Sequence, residues 1–258
     1  MKLAIGSAWS SPFIWTRFTE SALNLQQPPG YETKWFFGQG WCPARRHTDI
    51  CERALEWGAD LILFAGCDQV YDPDTLVRLV NRFNEGYEVV AALVPARGYF
   101  DWNREMRPFQ PMAWRFKSQQ PVNGRVVVRP YRGQALDADM IEVIRPEDGP
   151  IQRVNFIGSG VLLFHRDHLL SLQRPWFVEN IDPVTYERHA SMDCVFVWRL
   201  QTEASANVYV DTTVDVKHIN AFLIDRTFSD RFADWATPGV GDPSITRFKS
   251  AVPTTGQA

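Results

Sequence analysis

The run Ala59-Asp60-Leu61-Ile62-Leu63-Phe64-Ala65 constrains this chain more than any other stretch. It is short, apolar and rich in strand formers, and reads as a buried strand. It breaks at Gly66-Cys67-Asp68-Gln69, so the carboxylate of Asp68 stands just past its end. A helix start follows, with Asp72 as cap, Pro73 at the first helical position and Asp74 in the first turn. Leu76, Leu79, Val80 and Phe83 then recur at helical spacing and mark a buried face. In α/β sheets the crevice beyond the carboxyl ends of the strands is where ligands sit. A carboxylate placed there can bind a hard cation, and the cation can neutralise a phosphate.

The same alternation runs through residues 1–95. A strand over 2–6 ends in the turn Gly6-Ser7-Ala8-Trp9-Ser10-Ser11-Pro12, and a helix is expected around 13–25. Tyr31 to Phe37 reads as a strand, and Pro43 opens a helix to about Trp57 with Ile50, Ala54 and Trp57 on one face. Glu88 to Val94 is another buried strand, closed by Pro95. Strand and helix in turn predict an α/β fold with a mainly parallel, twisted sheet flanked by helices.

From about Ala96 to Gly133 the character changes. Arg97, Arg104, Arg107, Arg115, Lys117, Arg125, Arg129 and Arg132 stand against only Asp101 and Glu105. The pieces Met112–Phe116 and Val126–Val128 flank an Asn123-Gly124 turn, which is a hairpin signal. This basic arm is either a solvated excursion or a surface for an anionic partner. The second half predicts a strand over Ile151–Ile157, the link Gly158-Ser159-Gly160, a strand over Val161–Phe164 and a helix from Asp167. Ser191 is read as the cap of a helix from Met192 to about Ala204, followed by strands at Asn207–Val210 and Thr213–Val216. The expected organisation is one domain over 1–224, with the arm at 97–133 inside it, and a tail or lid over 225–258 rich in Pro, Gly, Ser and Thr.

A net charge of -3 removes any global attraction to nucleic acid or to an anionic membrane. Cys42, Cys51, Cys67 and Cys194 form no C-x-x-C pair and read as reduced thiols of a cytoplasmic protein. The amino terminus reads as a strand rather than a signal peptide, and no apolar run is long enough to span a bilayer, so no membrane anchor is expected. Ten tryptophans favour a site that stacks on flat ligands.

Each candidate residue has a plain alternative. Gly158-x-Gly160 follows a strand but lacks the third glycine and the helix of a dinucleotide fingerprint. Asp193, in the first turn of its helix, is either a carboxylate favoured by the helix dipole or a general base. Asp68 alone could be a turn residue, and His218 alone a packing residue. Trp176, in Arg174-Pro175-Trp176-Phe177, either stacks on a ligand or plugs the core.

Taken in order, these segments resemble a GT-A fold glycosyltransferase of the family 2 type. The resemblance covers roughly residues 2–220 and rests on five pieces: Lys2–Gly6 with its loop, Pro43-Ala44-Arg45-Arg46, Leu61 to Leu76, Asn155 to Leu163, and Ser191–Phe196 with Val216-Lys217-His218-Ile219 behind it. It implies a nucleotide-sugar donor, with UDP the expected carrier, and a divalent ion, Mn²⁺ or Mg²⁺, on Asp68 and His218. The donor would lie against Ser7, Ala8, Trp9, Arg45, Cys67, Asp68 and Gln69. Asp193 would be the base of an inverting transfer, and Gly158, Ser159, Gly160 and Trp176 would face the acceptor. That acceptor is a glycan, a small molecule, or DNA carrying a hydroxymethylated base and met by the basic arm at 97–132. Small phage-encoded members are similar in size. Two departures stand out: Gly66 replaces the first Asp of the D-x-D segment, and Met192 replaces the Glu expected before Asp193. The alternatives are a catalytically silent nucleotide-sugar-binding module on the same fold and a nucleotidyltransferase, for which Gly6-Ser7-Ala8-Trp9 lacks a glycine-rich phosphate loop.

Overall fold

The structure, a computed structural model, describes residues 1–8, 14–95, 112–116, 141–181, 188–219 and 223–224. Trp9, nearly all of the basic arm and the tail from 225 onward lie outside the described residues. In chain order the elements are β1 (Lys2–Ser7), α1 (Thr16–Leu23), β2 (Glu32–Phe37), α2 (Pro43–Trp57), β3 (Leu61–Ala65), β4 (Gln69–Tyr71), α3 (Thr75–Asn84) and β5 (Val89–Leu93). Then come β6 (Ala113–Phe116), β7 (Ile141–Val143), β8 (Ile151–Arg153), β9 (Phe156–Ile157), β10 (Val161–His165) and α4 (Arg166–Leu170). The remainder are β11 (Asn180–Ile181), β12 (Arg188–Ala190), α5 (Met192–Thr202), β13 (Val208–Ile219) and β14 (Leu223–Ile224).

The central sheet runs β14-β13-β5-β10-β3-β1-β2. β2, β1 and β3 are parallel, as are β5 and the first half of β13. β10 lies antiparallel between β3 and β5. The chain is therefore α/β with a mostly parallel sheet flanked by helices. Every residue of β3 is buried, because side chains pointing to either face meet a helical layer. Ile62 and Phe64 join one cluster with Ile50 and Ala54 of α2 and Phe196 and Leu200 of α5. Leu61, Leu63 and Ala65 join the other, with Phe18 of α1 and Leu76 and Leu79 of α3. Period-two alternation between two cores explains why the strand reads as an unbroken apolar run.

The antiparallel sense of β10 decides where its entry lies. Val161, its first residue, pairs with Ala65, the last of β3. Gly158-Ser159-Gly160 thus enters the sheet at the carboxyl end of β3. α2 approaches the same end because Gly6 of β1 leaves a notch: a Cβ there would meet Ile50 at 2.2 Å.

Several boundaries differ from expectation. The helix expected from Pro73 begins at Thr75: Thr75 N–H donates to the Asp72 carbonyl (3.0 Å), and the Asp72 carboxylate faces Lys217 instead of capping (3.4 Å). The strand expected over Ile151–Ile157 divides into β8, which pairs with β13, and β9, which pairs with β6. Asn155 makes the break, its N–H donating to the Trp114 carbonyl and its Oδ1 accepting from Phe116 N–H. β6 has β7 and β9 on its two edges; residues 126–128, expected to form a hairpin with 112–116, lie outside the described residues. The cations of the arm fall outside the described residues except Arg115, which pairs with Glu142. Cys42, Cys51, Cys67 and Cys194 form no disulfide with one another. Among the described residues no helix is long and apolar enough to cross a membrane.

The two strands expected at Asn207–Val210 and Thr213–Val216 are one, β13, interrupted by an irregularity between Asp211 and Asp215. Before it, β13 runs parallel to β5; after it, Asp215 pairs with Leu93 of β5 again and Val216–His218 run antiparallel to β4. The bend is clamped from α3. Arg82 Nε donates to Asp211 Oδ2 (2.8 Å), and Arg78 Nη2 donates to the Thr213 carbonyl (2.8 Å). Asp211 is fully buried, and its other oxygen accepts from Thr213 N–H (2.9 Å). Removing the Asp211 carboxylate deletes a charge-assisted bond to Arg82 and the bond to Thr213, each buried at the carboxylate. Asp211→Ala should lower unfolding stability by about 3 kcal/mol in urea titration. A loss below about 0.5 kcal/mol, the range of an ordinary surface substitution, would show that the clamp is dispensable.

Candidate functional site

A cavity of about 340 Å³ opens at the carboxyl ends of β1, β3 and β5. That size lies within the range of small-ligand pockets, roughly 300–1,000 Å³. Its lining includes Ala8 after β1, Cys67, Asp68 and Gln69 after β3, Ser159 before β10, Asp193 of α5 and His218 of β13.

Asp68 and His218 are far apart in sequence and meet here. β4 and β13 pair with Gln69 opposite His218, and Ile219 N–H donates to the Asp68 carbonyl (2.6 Å). His218 Nε2 lies 3.3 Å from Asp68 Oδ2. The other ring nitrogen, Nδ1, is 2.8 Å from the Pro95 carbonyl. A carbonyl can only accept, so Nδ1 carries the proton, and in neutral imidazole Nε2 presents a lone pair to the carboxylate. Two acceptors at that distance call for a proton or a cation between them. One imidazole nitrogen and one carboxylate oxygen are a donor set that Mn²⁺ or Mg²⁺ accepts. Among the described residues no group of three or more His, Cys, Asp and Glu is gathered for a metal, so further ligands would come from substrate or water.

Asp193 sits in the first turn of α5. Its Oδ1 accepts from Cys194 N–H (3.1 Å) and from the Ser191 hydroxyl, which turns to this carboxylate instead of capping the helix as expected. Oδ2 accepts from Ser159 N–H at 3.4 Å.

The neighbouring residues of α2 are not singled out by the sequence. Arg45 is the residue expected at the donor, but it is on the outer side of the helix, paired with Glu52 (3.0 Å). Arg46 and His47 line the cavity. Arg46 Nε donates to the Gly40 carbonyl (2.9 Å). His47 is buried, and burial lowers its pKa, so the ring is neutral near pH 7. The helical period could have flagged His47, since it lies on the buried face with Ile50, Cys51 and Ala54.

Other expected residues are placed differently. Ser7 is fully buried and its hydroxyl has no hydrogen-bond partner among the described residues; it does not line the cavity, whereas Ala8 does. Trp9 lies outside the described residues. Trp176 is 2 % exposed and belongs to the core with Phe177 and Phe196, so it is not a stacking surface. Its neighbour Arg174 lies over the ring at 4.1 Å.

Gly66, which stands where an acidic residue is expected, has a local physical cause. The Gln69 side chain is 3 % exposed and packs against both Gly66 and Gly160. A Cβ at Gly66 would come within 2.8 Å of its carboxamide, and one at Gly160 within 2.1 Å. Gly160 therefore makes room for Gln69 as well as lining the cavity. Gly160→Ala should cost about 1–3 kcal/mol by overpacking. Adding Gln69→Ala should restore part of that loss, because the two changes share one space. Additive losses in thermal unfolding of the single and double variants would refute the shared packing.

The sequence matches no protein-family model and no curated protein. Among solved structures the chain is similar to the crystal structure of A197 from STIV, at 15% identity and a TM-score of 0.48, with 85% of each chain covered. It is also similar to UDP-glucose pyrophosphorylase from Acinetobacter baumannii, at 9% identity and a TM-score of 0.38, covering 86% of this chain and 66% of that one. The UTP-bound UGPase of the same organism gives 8% identity, a TM-score of 0.36 and the same coverage, 86% and 66%. Likenesses this distant say nothing about the chemistry of the site.

Proposed function

We propose that the protein is a glycosyltransferase moving a sugar from a nucleoside-diphosphate donor, UDP in the first instance, to an acceptor hydroxyl with inversion at the sugar carbon. The observation that carries this reading is the contact between His218 Nε2 and Asp68 Oδ2 at the carboxyl ends of the strands. Asp68 and His218 would hold Mn²⁺ or Mg²⁺, with the diphosphate completing the coordination. When bound, the ion neutralises charge that develops on the leaving diphosphate.

The residues divide the work. Pro95 holds the imidazole by its Nδ1, so Nε2 stays aimed at Asp68. Asp193 takes the proton of the acceptor hydroxyl as its oxygen bonds to the sugar carbon. The bond from that carbon to the diphosphate breaks, and its electron pair leaves with the phosphate oxygen. Ser191 and Cys194 keep one carboxylate oxygen occupied, which leaves Oδ2 as the basic face. The domain proposed for this work spans 1–224. The acceptor is a glycan, a small molecule or a modified DNA base.

Two measurements test this. Titration with UDP in the presence and absence of Mn²⁺ should show metal-dependent binding in the wild type and none in Asp68→Ala or His218→Ala, with circular dichroism unchanged. UDP binding that ignores both the metal and these substitutions would sink the metal assignment. Asp193→Asn should leave UDP affinity within a few-fold and lower turnover of a UDP-sugar by roughly 10²–10⁴. Near wild-type turnover would reduce Asp193 to a carboxylate held by the helix dipole. Tight donor binding without turnover in the wild type would favour the silent binding module.

A further inference from the structure

We infer that His47 is a positioning residue: it holds the Ser159 hydroxyl as an acceptor at the cavity wall, so that Ser159 takes a hydroxyl group of the transferred sugar while Asp193 beside it keeps its remaining lone pair for the acceptor hydroxyl. This rests on the glycosyl-transfer reading and assigns the part of the site that recognises the sugar rather than the nucleotide.

Packing sets the plane of the His47 ring. It meets Phe64 edge-on, with centroids 4.8 Å apart, and Phe177 at 5.3 Å. Nδ1 lies 2.9 Å from the Pro43 carbonyl, one turn back in α2. That carbonyl can only accept, so Nδ1 bears the hydrogen and Nε2 of the neutral ring bears a lone pair. Nε2 faces Ser159 Oγ at 3.4 Å. The distance is long for a hydrogen bond, as contacts of this kind often are before a ligand closes the site. Given the lone pair on Nε2, the Ser159 hydroxyl proton points to His47. What Ser159 Oγ then offers any other group is lone pairs alone.

Ser159 is bound on its other side as well. Its N–H donates to Asp193 Oδ2 (3.4 Å), which ties α2 to α5 through one residue at the entry to β10. Asp193 receives three donors, from Ser191, Cys194 and Ser159, against about four lone-pair sites on a carboxylate. The wall formed by Ser159 and Asp193 therefore presents acceptors and no side-chain donor. It suits a ligand that brings its own O–H groups and repels a bare anion. A sugar ring with neighbouring hydroxyls is that kind of ligand; the diphosphate is not.

Binding of UDP and of UDP-glucose, UDP-galactose and UDP-N-acetylglucosamine with Mn²⁺, measured by calorimetry, reads this directly. The wild type should bind at least one UDP-sugar more tightly than UDP. Ser159→Ala and His47→Asn should each reduce that advantage by roughly 3- to 10-fold, the worth of one hydrogen bond, with UDP affinity unchanged. Asn keeps the bond to Pro43 but stops short of Ser159. Gln reaches as far as Nε2 and offers an acceptor there, so His47→Gln should keep the advantage. The pair separates positioning from core packing, since a purely structural histidine would be replaced no better by Gln than by Asn. Loss of the advantage in Gln and Asn alike, or in neither, overturns the inference. So does UDP binding with no gain from any of the sugars, which leaves the nucleotide reading standing. Absence of all nucleotide binding in the wild type overturns the glycosyl-transfer reading and this inference with it.

Discussion

The site depends on one strand serving two partners. β13 begins as a member of the main sheet beside β5 and ends as the partner of β4, outside the parallel array. The bend needs a reason to persist, because the residues across it leave the ladder. Asp211 supplies that reason: it is buried, takes Arg82 of α3 on one oxygen and the Thr213 amide on the other, and so fastens the turn to a helix beneath the sheet. A buried carboxylate with these partners is expensive to break rather than strongly stabilising in itself. It holds β13 at the irregularity, beyond which Val216–His218 pair with β4 and His218 meets Asp68.

A second constraint acts on the other side of Asp68. Gln69 is the first residue of β4, and its side chain is packed against the two glycines at 66 and 160. The carboxamide fills the space that a side chain at 66 would need. An acidic residue at 66 and Gln69 in its present rotamer are mutually exclusive, so the single carboxylate of this loop and the glycine before β10 are one structural decision. Gly66 N–H also donates to the Gly160 carbonyl (2.7 Å), which closes the loop onto the entry of β10.

Much of this is legible in the sequence and some is not, for physical reasons. Buried strands announce themselves by composition, so β3 and β5 can be read within about two residues of their observed ends. α2 is bounded by its proline and its apolar face, and its limits, Pro43 and Trp57, are those expected. The short β4 is not legible: three residues inside a loop have no periodicity of their own and exist because β13 pairs with them. The joining of two expected strands into β13 is hidden for the same reason, since the polar run Asp211-Thr212-Thr213 looks like a loop until Arg82 and Arg78 are brought against it. Asp68, Asp193 and His218 can be named because the ends of elements are where such groups gather. Arg45 stands in for Arg46 and His47 in the sequence reading because adjacent residues on a helix differ by about 100° in direction, and sequence alone does not settle which side faces the strands. Trp176 is undecided there between stacking and packing, and its neighbours Phe177 and Phe196 decide for packing.

The cavity lining presents two groups of acceptors that make different demands. Asp68 and His218 Nε2 face each other at 3.3 Å and suit positive charge between them, and they come from elements held by β4–β13 pairing. Asp193 and Ser159 need hydrogen-bond donors, and they come from the start of α5 and the entry of β10. A ligand that meets the two demands at once must carry an anionic part, joined through a cation, and a hydroxyl-bearing part. Free nucleotide meets the first alone, and a free sugar the second alone. Preference for the joined molecule then needs no special contact at the junction. It follows from each part of the ligand meeting its own group, and the worth of one hydrogen bond, about 0.5–1.5 kcal/mol, sets the scale of the discrimination at the hydroxyl-bearing part.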